Sequence, residues 1–91
     1  MEIIHNIEAK SFVLPLENNL EAGENYTMLN NHMSLVYSEV PYKLRGQGIG
    51  KELVEKTFEK LTEEGYTATA VCSYIRVIAR RSEKWRNVIK N

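Results

Sequence analysis

Three glycines lie within six residues near the middle of the chain, in the stretch Arg45-Gly46-Gln47-Gly48-Ile49-Gly50. An alternating apolar segment, residues 33–40, precedes this stretch, and an amphipathic segment from Lys51 to about Glu64 follows it. Glycines let a backbone approach a ligand closely, and the first N–H groups of a helix have no partner within the helix. The helix dipole adds positive potential at the same end. The pattern therefore predicts a loop that binds phosphate groups, and pyrophosphate in particular.

The spacing of the glycines excludes two common phosphate loops. A Walker A loop requires Ser or Thr after its Gly-Lys pair, whereas Gly50-Lys51 is followed by Glu52. A dinucleotide-binding loop requires the pattern G-x-G-x-x-G, whereas the glycines here follow G-x-G-x-G. A nucleotide-triphosphate or Rossmann-type site is therefore not expected.

The spacing Arg-x-x-Gly-x-Gly, formed by Arg45, Gly48 and Gly50, resembles the acyl-CoA pyrophosphate loop of the GNAT superfamily of N-acetyltransferases. Residues 38–54 as a whole are similar to the core signature of a minimal, single-domain group of predicted acetyltransferases (YjdJ-like). The stretch Cys72-Ser73-Tyr74-Ile75 resembles the Cys-Pro-Phe-Val of that group.

This resemblance covers roughly residues 24 to 90. It implies an acetyl-CoA-dependent N-acetyltransferase that transfers acetyl to an amine by direct attack in a ternary complex. It also implies that two parallel strands splay apart, here between residues 37–41 and 71–73, with CoA in the wedge. The acceptor amine is not identifiable from the sequence, and in so short a chain its site is expected to be open. A non-catalytic module that binds CoA or acyl-CoA is the alternative.

The resemblance assigns the cofactor to the glycine loop and to the end of the strand before it. Backbone amides of residues 47–51 would hold the pyrophosphate, and Arg45 would add a charged contact. Backbone N–H groups around Val40 would polarise the thioester carbonyl. The expected cofactor-binding residues are Val40, Arg45, Gly46, Gln47, Gly48, Ile49, Gly50 and Lys51. The alternative is a tight strand-to-helix turn that binds nothing.

Three side chains are candidates for the proton transfers that acetyl transfer requires. The resemblance would place a histidine where this chain has Tyr37, so Glu39 remains as a possible base, or as a residue that orients the loop. Cys72 could protonate the departing thiolate or hold the acetyl group transiently, but unpaired cysteines also pack in cores. Tyr74 could protonate the CoA sulfur or serve in packing.

The strands before the loop are predicted from alternation. Residues 11–16 indicate a first strand, and two strands at 24–29 and 33–40 flank Asn30-Asn31-His32, which suits a hairpin. In the last of these strands Met33, Leu35, Tyr37 and Glu39 are expected to share one face.

After the loop, a helix from Lys51 to about Glu64 is predicted to end at Gly65, and residues 67–72 to return as a buried parallel strand. Residues 74–81 and 82–90 are predicted to form two short helices, with Ser82 as the N-cap of the second. The predicted fold class is α+β, with a small mixed and mostly antiparallel sheet, a central splayed parallel pair, one long helix and a helical C-terminus.

Length and composition set the remaining expectations. A chain of 91 residues with 43% hydrophobic residues is expected to form a single domain, residues 1–91. No apolar run approaches the roughly 20 residues that span a membrane, and no signal pattern opens the chain. One cysteine suits a reducing compartment, so a cytoplasmic location is expected. With two histidines, one cysteine and no aspartate, no metal site is expected.

The net charge is zero, but it is unevenly distributed. Residues 1–64 contain six Lys/Arg and eleven Glu, whereas residues 65–91 contain six Lys/Arg and one Glu. A small nucleic-acid-binding domain is a third function class, and the absence of net positive charge and of interleaved exposed aromatics disfavours it. The sequence does not indicate the oligomeric state.

Overall fold

In the computed structural model, which describes residues 2–91, five strands form one sheet in the order in which they occur along the chain. The strands are β1 (Ile4–Asn6), β2 (Ser11–Pro15), β3 (Glu21–Leu29), β4 (His32–Glu39) and β5 (Thr67–Ala70). The first three pairings are antiparallel, and β4 pairs with β5 in parallel. Helix α1 (Ile49–Glu63) connects these two strands, and helix α2 (Ser73–Arg81) follows β5. The predicted α+β class is confirmed.

The parallel pair lies at one end of the sheet rather than at its centre. The outer edge of β5 is covered by the end of the chain, where Lys90 donates to the carbonyl of Ala68 and its own carbonyl accepts from Ala70. This single extra residue satisfies backbone groups that an edge strand would otherwise expose.

Helix α1 begins and ends where the backbone leaves the helical region. Gly48 is its N-cap with a φ of 79°, and Gly65, just beyond its end, has a φ of 88°. Between them, the buried side chains Leu53, Val54 and Phe58 recur at helical spacing and face the sheet. Among residues 2–91, no helix is long and apolar enough to cross a membrane.

The hairpin between β3 and β4 is tighter than predicted. Leu29 pairs with His32, so the loop contains only Asn30 and Asn31, both with positive φ. Two-residue hairpin loops of this kind require positive φ at both positions, which asparagine tolerates.

A bulge in β4 changes the side-chain pattern that simple alternation predicts. Leu35 pairs with Tyr26, but Tyr37 pairs with the preceding residue of β3, so Val36 is an extra residue without a partner. Residues paired across strands point to the same face. Leu35 therefore faces the core with Tyr26, whereas Tyr37 and Glu39 point to the opposite face. The prediction that all of them share one face is wrong, because the bulge shifts the alternation by one residue.

The segment after α2 is a series of turns, so the predicted helix over residues 82–90 is wrong. Ser82 does begin a turn, since its Oγ accepts the N–H of Trp85 at 3.2 Å. The carbonyl of Trp85 then accepts the N–H groups of Val88 and Ile89, and these hydrogen bonds turn the chain toward β5. Trp85 and Ile89 are buried, but Val88 is exposed. Pairing with the sheet edge therefore takes precedence over helix formation here.

The core contains one carboxyl group that is fully buried. Glu24 of β3 is 0% exposed, and neither of its oxygens has a hydrogen-bond partner among the described residues. Burial, with a smaller electrostatic contribution from Cys72, raises the pKa of Glu24 from its ordinary value of 4.5 to about 9. The carboxyl is therefore neutral at physiological pH, as expected for a group without a compensating charge.

We expect the stability of the protein to fall as pH rises through the neutral range. Between the unfolded pKa of 4.5 and the folded pKa of about 9, the native chain holds one proton that the unfolded chain has lost. Its unfolding free energy should then decrease by about 1.4 kcal/mol per pH unit relative to that of Glu24→Gln, which cannot titrate. Urea unfolding of both proteins between about pH 5 and pH 8 measures this difference.

Thr57→Val is the matched control, because Thr57 Oγ1 is the other buried atom without a partner among the described residues and it does not titrate. This variant should keep the pH dependence of the parent. Equal pH dependence in the parent and Glu24→Gln would contradict a neutral buried carboxyl.

Candidate functional site

The site forms where β4 and β5 separate. Their parallel pairing runs from His32 opposite Thr67 to Leu35 opposite Ala70. The carbonyl of Leu35 then accepts the N–H groups of both Val71, at 2.9 Å, and Cys72, at 3.2 Å. The bulge in β4 begins at the next residue. Since the two strands diverge from this point, a wedge opens between residues 37–41 and 71–73, as the resemblance implied.

A cavity of about 400 Å³ occupies this opening and is called the wedge cavity below. Its walls come from the end of β4, the glycine loop (residues 45–50) and the start of α2. The lining residues are Tyr37, Ser38, Glu39, Val40, Leu44, Arg45, Gly46, Gly48, Gly50, Cys72 and Tyr74. The fold thus brings the three candidate catalytic side chains together with five of the eight expected cofactor-binding residues.

The other three expected cofactor-binding residues do not line the wedge cavity. Gln47 is exposed, and Ile49 packs against a small core cluster that contains Leu14 and Leu53. Lys51 lines a neighbouring cavity of about 330 Å³. A role for these residues would therefore depend on their backbone amides and not on their side chains, apart from Lys51.

The glycine loop presents backbone amides at the start of α1. Gly46 and Gly48 have φ values of 83° and 79°, so these positions require glycine for conformation, although a Cβ would meet no atom within 4 Å. No side chain caps the helix, and the first helical bond runs from the N–H of Glu52 to the carbonyl of Gly48. The amides of residues 49–51 therefore have no acceptor within the helix, which favours an anionic ligand.

Gly50 is required for a different reason, because any side chain at this position would collide with Tyr74. A Cβ at Gly50 would lie 2.8 Å from Tyr74 Oη. The phenol of Tyr74 therefore lies against the first turn of α1, at the loop end of the wedge cavity, and also lines the neighbouring cavity. Burial raises the pKa of Tyr74, so this phenol keeps its proton at neutral pH.

Arg45 braces the loop against the end of β4. Its Nε donates to the carbonyl of Val40 at 3.2 Å, and its guanidinium carbon lies 5.6 Å from the centre of the Tyr42 ring. These contacts hold a permanent positive charge on the wall of the wedge cavity.

Tyr37 and Glu39 form a pair on the sheet face opposite the helices. The hydroxyl of Tyr37 donates to Glu39 Oε1 at 2.9 Å. This hydrogen bond, followed by the carboxylate charge, raises the pKa of Tyr37. Tyr37 is therefore a hydrogen-bond donor at neutral pH and not a base, and it holds the carboxyl group of Glu39 at the rim of the cavity.

Cys72 lies on the opposite wall, at the N-cap of α2, and is a free, half-buried thiol. It packs against the main core cluster while also lining the wedge cavity. The structure thus gives Cys72 both of its predicted settings, core and cavity.

The sequence analysis did not identify Glu24 as a residue of interest. Glu24 pairs with Ser38, which lines the wedge cavity, and its pKa is raised chiefly by burial. A signal was present, since Ala22, Glu24 and Tyr26 share the core face of β3. The predicted strand began at residue 24, whereas β3 begins at Glu21, so the alternation that includes Ala22 was not considered.

Two of the basic residues in the C-terminal third have internal partners. Arg76 Nε donates to the carbonyl of Ala70 at 3.1 Å, and Lys84 Nζ lies 4.0 Å from Glu59 Oε2 and over the Trp85 ring. These contacts account for part of the charge asymmetry without a ligand.

Comparison with known proteins agrees with this architecture. Residues 11–88 match the family model described as GCN5-related N-acetyl-transferase. The NMR solution structure of a GCN5-like candidate N-acetyltransferase from Staphylococcus aureus superimposes with a TM-score of 0.68 at 27% identity, over 97% of this chain and 86% of that one. Among curated proteins, no sequence matches this chain. The assignment to the YjdJ-like group stays a prediction. Because the family model spans most of the sequence, the chain belongs to the GCN5-related N-acetyltransferase family.

Proposed function

We propose that this protein uses acetyl-CoA to acetylate an amine, by direct attack of the amine on the thioester in a ternary complex. The observation that carries the proposal is the wedge cavity, which joins the uncapped amino terminus of α1 to the gap between β4 and β5. A helix terminus with unpaired amides and a gap between two strands suit the two halves of CoA, the pyrophosphate and the pantetheine arm.

In this proposal the amides of residues 47–51 and the charge of Arg45 bind the pyrophosphate. Helix dipole and unpaired amides both stabilise negative charge there. The pantetheine arm then lies in the wedge, with the thioester near the end of β4, where the N–H of Val40 polarises its carbonyl. Tyr74, whose hydroxyl lies against Gly50, contacts the phosphate end of the cofactor.

The acceptor amine approaches from the face of the sheet that the helices leave open. Tyr37 and Glu39 lie on that face and at the rim of the wedge cavity. Glu39 takes up the proton that the amine loses, directly or through a water molecule. The Tyr37 hydroxyl holds the Glu39 carboxylate in place by the hydrogen bond at 2.9 Å.

A second candidate function is a module that binds acyl-CoA without catalysis. The observation that favours it is the state of Tyr37, which replaces the expected imidazole and is a hydrogen-bond donor instead of a base. The two functions share cofactor binding and differ in turnover, so they are separated by release of the CoA thiol when acetyl-CoA is mixed with a panel of primary amines.

We predict that acetyl-CoA raises the thermal unfolding midpoint of the parent protein and does not raise that of Gly48→Glu. A ligand that binds only the native state stabilises it by mass action, whereas a carboxylate on the glycine loop repels the pyrophosphate. Differential scanning fluorimetry with and without saturating acetyl-CoA measures both shifts.

Gly65→Glu is the matched control, because Gly65 also has positive φ and open space around the position that a Cβ would take, but lies at the other end of α1. The two variants should lose similar stability, and only Gly65→Glu should keep the shift. A shift retained by Gly48→Glu would place the cofactor elsewhere, and no shift in the parent would refute both candidate functions.

We also predict that Glu39→Gln lowers kcat about 100-fold or more, because general-base catalysis contributes a factor of that order. The thermal shift with acetyl-CoA should be unchanged, since Glu39 is not assigned to cofactor binding. Steady-state kinetics with an amine identified in the panel provide the measurement.

Tyr37→Phe removes only the hydrogen bond to Glu39 and should lower kcat less, by about tenfold or less. Unchanged kcat in Glu39→Gln would show that another group is the base.

A further inference from the structure

The charged side chains of the protein are distributed unequally between the sheet and the segments around it. In the described part of the chain, the five strands contain three glutamates, Glu21, Glu24 and Glu39, and no lysine or arginine. Cations are found instead on the loop and the helices, where Arg45 lines the wedge cavity and Lys51 lines the neighbouring cavity. The proposed function places the cofactor beside these cations. The strands therefore offer the acceptor acidic side chains and no basic ones.

Two of the three strand glutamates lie on the face of the sheet opposite the helices, called the open face below. Glu39 pairs with Gly23, and residues paired across strands point to the same face. Glu21 precedes Gly23 by two residues in β3, so it points the same way, and both glutamates are exposed. Diagonal neighbours of this kind lie roughly 7 to 8 Å apart. Since Glu39 also lines the wedge cavity, this pair of glutamates lies where the cavity meets the open face.

Gly23 leaves an open floor between the two glutamates. Its φ lies outside the left-handed region, and the nearest atom to a Cβ at this position would be the carbonyl oxygen of Phe12, at 3.9 Å, which is an ordinary contact. Neither conformation nor packing therefore requires glycine here. A glycine inside a strand weakens the strand, and it is found where a ligand approaches the backbone closely.

The open face is suited to a small cation and not to a peptide backbone. Gly23 pairs with Val13 on one side and with Glu39 on the other, so its strand has no free edge along which a peptide could add. The open face instead offers two acidic side chains and the half-exposed ring of Tyr37. Acidic groups and aromatic rings both attract cations.

We propose that the acceptor is a free alkyl diamine, which is a small amine with a second cationic group and with no carboxylate or phosphate. The reacting nitrogen lies at Glu39, the alkyl chain crosses Gly23, and the second ammonium contacts Glu21. This inference rests on the proposed acetyl transfer and names its substrate class. Glu21 determines specificity and takes no part in proton transfer.

Bonds and protons balance in the reaction. The nitrogen bonds to the thioester carbon, and the carbon–sulfur bond breaks with its electron pair on the CoA sulfur. Of the two protons that the reacting ammonium group loses, one is finally bound to the CoA sulfur and the other is released to solvent. The second ammonium group is unchanged, so the product is a singly acetylated diamine.

Three matched amines test the substrate class. Pentylamine lacks the second cation of 1,5-diaminopentane, and free lysine adds a carboxylate to it. We expect kcat/KM per amine group to be about two- to fivefold higher for 1,5-diaminopentane than for pentylamine, because an exposed ion pair contributes an effect of that size. Free lysine should have the lowest value, since its carboxylate would lie near Glu21. Release of the CoA thiol measures all three, and the differences should shrink as salt is added.

Variants of Glu21 test the residue. Glu21→Gln should remove the preference for 1,5-diaminopentane and leave kcat/KM for pentylamine unchanged. Glu21→Lys should reverse the order, so that free lysine becomes a better acceptor than 1,5-diaminopentane. Glu63→Gln is the charge-matched control, because Glu63 is exposed on α1, and it should keep the order of the parent. All of these variants should keep the thermal shift with acetyl-CoA. A partly unfolded variant would lose activity with every amine and would not reverse their order.

Gly23→Val tests the open floor. Valine suits a strand, so the fold and the thermal shift with acetyl-CoA should persist. The added side chain should lower kcat/KM for 1,5-diaminopentane about tenfold or more, because the chain can no longer cross between the two glutamates. Thr27→Val is the matched control on the same strand and face, since Thr27 pairs with Ser34, further from the wedge cavity. It should leave kcat/KM unchanged.

The outcomes separate this inference from the proposed function. Equal kcat/KM values per amine group for 1,5-diaminopentane and pentylamine would overturn the inference, even if the parent is an active acetyltransferase. A higher kcat/KM for a blocked dipeptide of two lysines than for 1,5-diaminopentane would place the acceptor in a peptide and overturn it as well. A parent that releases no CoA thiol with any amine would overturn the proposed acetyl transfer, and this inference with it.

Discussion

The site depends on one event in the backbone, which is the end of pairing between β4 and β5 at Leu35. The carbonyl of Leu35 accepts two successive N–H groups, those of Val71 and Cys72, and this directs the chain out of the sheet and into α2. The next residue, Val36, has no partner on β3 and shifts the side-chain alternation of β4 by one residue. Because the strands part at this position, side chains from two different elements face each other across a cavity. Without the separation, the same residues would continue a sheet and enclose nothing.

The glycine loop gives this cavity its chemical character. Positive φ at Gly46 and Gly48 lets the chain turn from the strand into α1, and the absence of a side-chain cap leaves the first amides directed outward. Arg45 adds a fixed charge that is braced by the carbonyl of Val40. Two sources of positive potential, the unpaired amides and Arg45, thus converge on one end of the wedge cavity. A strand-to-helix turn with only a structural role would not need positive potential at this position.

The neutral carboxyl of Glu24 makes the stability of the fold depend on pH. A core that packs Phe12 and Leu14 on the neighbouring strand could accommodate an apolar residue at position 24. The carboxyl instead makes the fold less stable as pH rises, and its strand partner Ser38 lines the wedge cavity. Departures from good core composition are commonly found at functional sites, because activity and stability impose different demands on the same residues.

The sequence by itself determined the features that depend only on residues close together in the chain. The positions of the glycine loop, the stripe of α1, the Asn30-Asn31 turn and the fold class followed from backbone preferences and short periodicities, which are local properties. Tertiary structure alone decided the bulge at Val36, the pairing of Lys90 with β5 and the burial of Glu24. Each of these depends on a partner strand or helix distant in sequence. A pattern within one segment does not specify which residue faces it across the sheet, and that pairing sets the side-chain orientations from which the candidate site is built.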